Sequence, residues 1–152
     1  MSPTASSGPA PRIELPTVLE ARWQRLRLFE ARVRERLERA LEPHGLTCSE
    51  YAALAALHYS DDEGHLRQQF LADSIPINQS SLSRMVGRLE QHGLTERYHC
   101  MSDRRGVYTQ ITERGRAKVE EARESYLKAL EDALADLSDD DVGAAIATLL
   151  RG

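Results

Sequence analysis

Apolar residues recur at helical spacing through most of the chain and alternate in only one stretch. Leu19, Trp23, Leu26, Val33, Leu37 and Leu41 stand three, four or seven apart, with Glu30 interrupting the stripe, which predicts one long helix with a single apolar face. Thr17 and Glu20 form a capping-box pattern at its start, and Pro43 with Gly45 ends it. Thr47-Cys48-Ser49-Glu50 repeats the box, with Leu46 and Tyr51 placed for a hydrophobic staple; the helix it opens carries Tyr51, Leu54, Ala55 and His58 on one side. After a polar loop at 60–64, a short helix is expected over about His65 to Ser74, bearing Leu66, Phe70 and Leu71. Pro76 stops it, because proline offers no amide hydrogen and biases Ile75 away from helical geometry. Asn78 is placed to cap the next helix, whose Leu82, Met85, Val86 and Leu89 follow i, i+3, i+4, i+7, and Gly93 takes the position after its end. Two helices joined by so tight a turn predict a helix-turn-helix.

The period changes after Gly93. Thr95–His99 and Val107–Thr112 are β-prone, and Val107, Thr109 and Ile111 alternate with Tyr108 and Gln110. The polar stretch from Cys100 to Gly106 lies between them, so a β-hairpin wing is expected. Thr112 then caps a second long helix with Val119, Ala122, Tyr126, Leu130, Leu134 and Leu137 on one stripe. Ser138 to Asp141 opens a last short helix with Val142, Ile146, Leu149 and Leu150, and Leu137 is placed to staple to Val142. The expected fold is mainly α: a winged helix-turn-helix with a β-hairpin wing and N- and C-terminal dimerisation helices. Residues 1–14 are expected to form a disordered tail and 15–152 a single domain. Within it 46–116 is the winged helix-turn-helix region, and 15–45 with 117–152 are helices whose apolar stripes need a partner.

Charge sharpens this picture. The 152 residues carry a formal net charge of −4, yet the window from Pro76 to Arg116 holds seven arginines against four acids. The segment 117–152 holds four basic residues against nine acidic ones, so a basic middle is flanked by acidic ends. No apolar run approaches the ~20 residues of a membrane span. Met1 to Arg12 is rich in Ser, Pro and Ala without an apolar h-region, which reads as a tail rather than a signal peptide. Cys48 and Cys100 form no CxxC pair, which suits a reducing cytoplasm. No glycine-rich nucleotide loop, metal-ligand spacing or nucleophile–base grouping is evident, so an enzyme is not expected and no cofactor is implied.

The chemistry concentrates on the second helix of the motif. Opposite its apolar stripe stand Gln79, Ser80, Ser83, Arg84, Gly87 and Arg88, with Ser81 beside them. Gln and Arg can each make paired hydrogen bonds to base edges in the major groove, while short serines let the backbone approach and can bond phosphate. The candidate contacts are therefore Gln79, Ser80, Ser81, Ser83, Arg84 and Arg88. On the wing, Arg104 and Arg105 can reach an adjacent minor groove, and Asp103 can pair with a neighbouring arginine and aim it.

From about Thr47 to Glu121 the chain resembles the MarR family of winged-helix regulators. The resemblance rests on Leu46-Thr47-x-x-Glu50-Tyr51-x-x-Leu54, Ser80-Ser81-Leu82-Ser83-Arg84-Met85-Val86-Gly87-Arg88-Leu89-Glu90 and Gly93-Leu94-Thr95-Glu96-Arg97, followed by Asp103-Arg104-Arg105 and Ile111-Thr112-Glu113-Arg114-Gly115. The usual Leu-Ala-x-x-Leu of the first motif helix is replaced by Phe70-Leu71-Ala72-Asp73-Ser74-Ile75. The resemblance implies a homodimer with intertwined terminal helices, which would place Leu19, Leu134, Leu137, Val142, Ile146 and Leu149 in its interface. It maps the family's wing Asp-x-Arg onto Asp103 and Arg105, the latter entering the minor groove. It also implies a transcriptional regulator, commonly a repressor, acting on double-stranded DNA. A small aromatic effector is a further implication, with Trp23, Glu30, Tyr51 and His58 as the candidate lining. Alternatives are a redox sensor through Cys48 or Cys100, a metal sensor assembled from the five histidines, or a winged-helix scaffold that binds protein.

Overall fold

The computed structural model describes residues 12–100 and 103–152, and the side chains of these except at 100 and 103–105. Helix α1 (Val18–Leu41) begins where the Thr17 hydroxyl oxygen accepts the Glu20 N–H at 3.1 Å. The Glu20 carboxylate takes the Thr17 hydroxyl at 2.7 Å, closing the cap through the side chain. A single 3-10 turn, Glu42–His44, leads to Gly45 at φ 70° and into α2 (Cys48–His58). Here the capping box is complete: Thr47 Oγ1 accepts the Glu50 N–H at 3.2 Å, and the Glu50 carboxylate accepts the Thr47 N–H at 3.0 Å.

The helix expected over 65–74 is divided. His65–Arg67 form a strand, β1, and only Gln68–Ser74 form a helix, α3. The hairpin provides the reason, because His65, Leu66 and Arg67 pair antiparallel with Gln110, Thr109 and Tyr108. Helix α4 (Gln79–Gln91) is capped by Asn78, whose side-chain oxygen accepts the Ser81 N–H at 2.9 Å. Strands β2 (Thr95–Cys100) and β3 (Asp103–Ile111) form the wing, β3 starting four residues earlier than its alternation suggests. The sheet order is β1-β3-β2, antiparallel throughout, with a register shift between His99 and Cys100. Helix α5 (Glu113–Asp136) follows, and α6 (Asp141–Arg151) is capped by Asp140 rather than Ser138, whose hydroxyl donates back to the Leu134 carbonyl.

Two cores result. The larger joins α2, α3, α4, the sheet and the first turns of α5 through Leu54, Leu57, Leu71, Leu82, Met85, Val86, Leu89, Ile111 and Val119, with Leu41 of α1. Each such buried side chain stabilises by ~1.5–3 kcal/mol relative to exposure. The smaller core holds Phe29, Leu134 and Ala147, with Val33, Leu130, Leu137 and Ile146 packed against it. Leu134, expected at an interface between copies, is thus covered by α1 and α6 of its own chain. One junction ties the lobes together. Thr112 donates its hydroxyl to the Gly93 carbonyl at 2.6 Å and its N–H to the Leu94 carbonyl at 3.1 Å. The end of α4, the start of β2 and the start of α5 are therefore joined by hydrogen bonds at one residue.

Candidate nucleic-acid interface

Helix α4 buries Leu82, Met85, Val86 and Leu89 and turns Gln79, Ser80, Ser83 and Arg84 outward. This follows from the 3.6-residue period, because a stripe that fills the core leaves the opposite side to solvent. The Ser80 hydroxyl donates to Asn78 at 2.9 Å, and Ser81 is half-buried at the cap. Arg84 is exposed and has no ion pair among the described residues.

Arg88 is different. Its Nη2 lies 2.9 Å from Oε1 of Glu50, a buried carboxylate on α2. In this structure the Arg88 guanidinium is therefore turned toward α2, while Arg84 has no such partner among the described residues. On the wing side, Arg97 Nε donates to Glu90 Oε2 at 2.6 Å, so the last turns of α4 are held from both α2 and β2.

The backbone places Asp103, Arg104 and Arg105 on the opening residues of β3, with Asp103 opposite Cys100 at the end of the hairpin. Their side chains lie outside the described residues. Nearer the base of the sheet, Tyr98 and Tyr108 stack at 5.7 Å. The Arg67 guanidinium lies 5.8 Å over the Tyr108 ring, with Nε donating to its hydroxyl at 3.2 Å. Arg67, Gln68, Gln69 and Gln79 line a cleft of about 290 Å³ with Gly106 and Val107, between the start of α4 and the wing. Sequence reasoning missed Arg67, Gln68 and Gln69 because it treated 65–74 as one unbroken helix. Only the pairing of β1 with β3 brings them to the wing.

The MarR family model matches residues 46–107, the span from the turn before α2 to the middle of β3. A structure of Sco3205, a MarR family transcriptional regulator from Streptomyces coelicolor, in complex with DNA is 25% identical, covers 93% of this chain and 88% of that one, and superposes with a TM-score of 0.75. The chain is similar to the MarR family through its helix-turn-helix and wing. Among further relatives, the HTH-type transcriptional regulator MhqR of Bacillus subtilis is 26% identical over 110 residues, 72% of this chain and 74% of MhqR. BpsR of Bordetella bronchiseptica, whose DNA binding is regulated by 6-hydroxynicotinic acid, is 25% identical, covers 93% of this chain and 95% of that one, and has a TM-score of 0.71. The proteins it is similar to are transcriptional regulators rather than enzymes, and one of them is seen bound to DNA in the same fold.

The four residues expected to line an effector site do not all line one cavity. Glu30 lines an apolar crevice of about 360 Å³ with Leu26, Phe29, Val33, Cys48, Ala52, Tyr126 and Ile146, between α1, α2, α5 and α6. Trp23 lines an adjoining groove of about 570 Å³ with Leu19 and Val142, the two hollows sharing Leu26 and Ile146. Tyr51 is buried and stacks on Tyr126 at 4.3 Å. His58 lines neither cavity: its Nδ1 accepts from Arg116 at 3.2 Å and its Nε2 lies 2.7 Å from Glu120. Trp23 and Glu30 share one face of α1 but stand about two helical turns apart along it. Burial first, and then the Glu38 carboxylate, push the Cys48 thiol up to about 12. The thiol therefore stays protonated, which removes the nucleophilic form that peroxide sensing requires. Among the described residues no group of three or more His, Cys, Asp and Glu could hold a metal, and no helix is long and apolar enough to cross a membrane.

Proposed function

We propose that this regulator is a cytoplasmic, effector-responsive repressor that binds a pseudo-palindromic operator as a homodimer. In this scheme 46–116 is the DNA-binding region, and 15–45 with 117–152 hold the two copies together. The exposed polar face of α4 carries the reading: Gln79, Ser80, Ser83 and Arg84 point away from the core. Each copy places α4 in a major groove, with half-sites one helical turn (~34 Å) apart, and Asp103, Arg104 and Arg105 bring the wing to the minor groove. Arg67 and the glutamines of the cleft face the phosphate backbone between the two grooves.

The dimer is supported by apolar side chains that the chain itself leaves uncovered. Leu19 and Leu149 are each 79% exposed, and Trp23 and Leu150 are more than half exposed. Val142 and Ile146 are half-buried against the same groove. The groove that Leu19 and Trp23 form with the start of α6, and the exposed leucines at the end of α6, are the apolar surfaces such an association would cover. The effector reading is supported by the 360 Å³ crevice, whose walls belong to α2 on one side and to α1, α5 and α6 on the other. A small aromatic compound preferring one spacing of these helices shifts the dimer toward it and changes DNA affinity by that preference. The regulation of BpsR by a hydroxylated aromatic acid is in keeping with this class of effector. An operator that overlaps a promoter then makes the DNA-bound state repressive.

Gel shifts test the proposal, using duplex DNA selected from a random pool by the wild-type protein. Arg84→Ala is expected to lower affinity by ~1–3 kcal/mol per half-site and to relax sequence preference. With on the order of ten phosphate contacts, log K falls against log salt with a slope near −9. A protein that retains no DNA, or whose affinity ignores salt, contradicts the proposal and favours a protein-binding scaffold.

A further inference from the structure

Glu50 is the one buried acidic side chain among the described residues, 6% exposed. A buried charge persists only when partners replace its water, and Glu50 uses its two oxygens on two different elements. Oε2 accepts the Thr47 N–H at 3.0 Å and closes the cap of α2. Oε1 meets the Arg88 guanidinium of α4 at 2.9 Å. The same first turn of α2 is fastened to α1, because the Cys48 N–H donates to Glu38 at 3.1 Å. On the other flank Glu90 holds Arg97 of β2 at 2.6 Å.

Arg88 and Glu90 flank the buried Leu89, so two ion pairs to two elements restrain rotation of α4 about its own axis. The N-terminal half of α4, where Gln79, Ser80 and Arg84 stand, is fastened mainly by its own cap and its apolar stripe. Its roll is therefore set further along the helix. With side chains reaching ~5–6 Å from the axis, a roll of about 20° displaces their tips by about 2 Å. That is enough to break a paired hydrogen bond of roughly 2.7–3.2 Å.

We propose that Glu50 is a positioning residue for DNA readout, which holds Arg88 and thereby sets the roll of α4. Arg88 then serves the aim of Arg84 and Gln79 rather than contacting bases itself. This rests on the reading that α4 faces the major groove.

The test uses Glu50→Gln in the full-length chain, because the amide oxygen can still accept the Thr47 N–H while the charge facing Arg88 is gone. Affinity is measured across a salt series for two duplexes: the operator selected by the wild-type protein, and an unrelated sequence of equal length. The expected result is a tenfold or greater loss on the operator, less than twofold on the unrelated duplex, and an unchanged salt slope. Arg88→Gln should show the same pattern, and E50Q/R88Q should be no worse than either single variant. If the single variants do not fold, the double variant carries the comparison, since removing both charges leaves neither one buried alone. Unchanged or tighter operator binding by Glu50→Gln, or by E50Q/R88Q where only that folds, overturns the proposal. So does an Arg88→Gln variant that weakens binding to every duplex with a salt slope shallower by about 0.9 for each phosphate no longer neutralised, which makes Arg88 a phosphate ligand. Arg84→Ala separates the two layers. If it too leaves operator binding intact, the reading of α4 itself has failed; if it alone weakens binding, only the role of Glu50 has.

Discussion

Replacing Gly115 by alanine probes the junction between the DNA-binding lobe and α5. Gly115 is the third residue of α5, and its N–H donates to Thr112 Oγ1 at 3.0 Å. A Cβ there would lie 2.2 Å from the Leu94 carbonyl oxygen and 2.7 Å from Ile111 Cγ1, more than 1 Å inside ordinary contact for the first of these. The carbonyl cannot simply withdraw, because it also accepts the Thr112 N–H at 3.1 Å and leads directly into β2. Overpacking of this kind costs ~1–3 kcal/mol, and a backbone obstacle puts it toward the upper end. Alanine's better helix propensity returns ~1 kcal/mol, leaving a net loss of ~2 kcal/mol. For a chain of this length that lowers Tm by ~4–8 °C. Gly87, in the middle of α4, gives the opposite sign: nothing lies within 4 Å of its Cβ position, so Gly87→Ala should gain ~0.5–1 kcal/mol, or ~1–4 °C. Calorimetric melts of the three proteins at one protomer concentration decide the matter, since association shifts Tm by mass action. A Gly115→Ala protein that melts at or above the wild type refutes the close approach of α5 to the Leu94 carbonyl.

Three further outcomes follow from other parts of the molecule. Leu149→Glu puts a charge on the exposed apolar end of α6 and should convert the dimer to monomer in light scattering, with loss of operator binding; a dimer of unchanged mass removes this surface from the interface. In a Cys100→Ser background, Cys48 should resist iodoacetamide at pH 7, where about one thiol in 10⁵ is ionised, and labelling that plateaus near pH 8–9 contradicts the burial argument. The Glu120 carboxyl is held below its ordinary 4.5 by hydrogen bonds from His58 and then Tyr59. A depressed folded-state value contributes stability that is present above 4.5 and lost as pH falls through the depressed value. The Tm advantage of wild type over Glu120→Gln should therefore shrink on acidification below about 4.5, and an advantage that persists undiminished at about pH 3 counts against this linkage.

What was legible in the sequence is what depends on near neighbours along the chain. Thr47, Asn78 and Thr112 each cap a helix through the amide three residues on, so their helix starts could be read directly. The strand β1 could not, because a three-residue apolar-polar run has no period of its own and becomes a strand only beside β3. The ion pair of Arg88 was hidden for a related reason. Glu50 is recognisable as a capping residue, and nothing local reveals that its second oxygen remains for a partner on another helix. Periodicity likewise shows that a face is apolar without showing what covers it. The single stripe on α1 divides in the structure: Leu37 and Leu41 are buried within the chain, while Leu19 and Trp23 stand in solvent. On the partner helices Leu134 is buried and Leu149 exposed, although both continue legible stripes. The first turns of α1 and α6 line one groove, which joins Leu19 and Trp23 to the half-buried Val142 and Ile146. A stripe covered by its own chain over one half and bare over the other is what a helix shared between two copies requires. The bare half therefore locates the proposed interface where periodicity alone would have spread it along the whole of both helices.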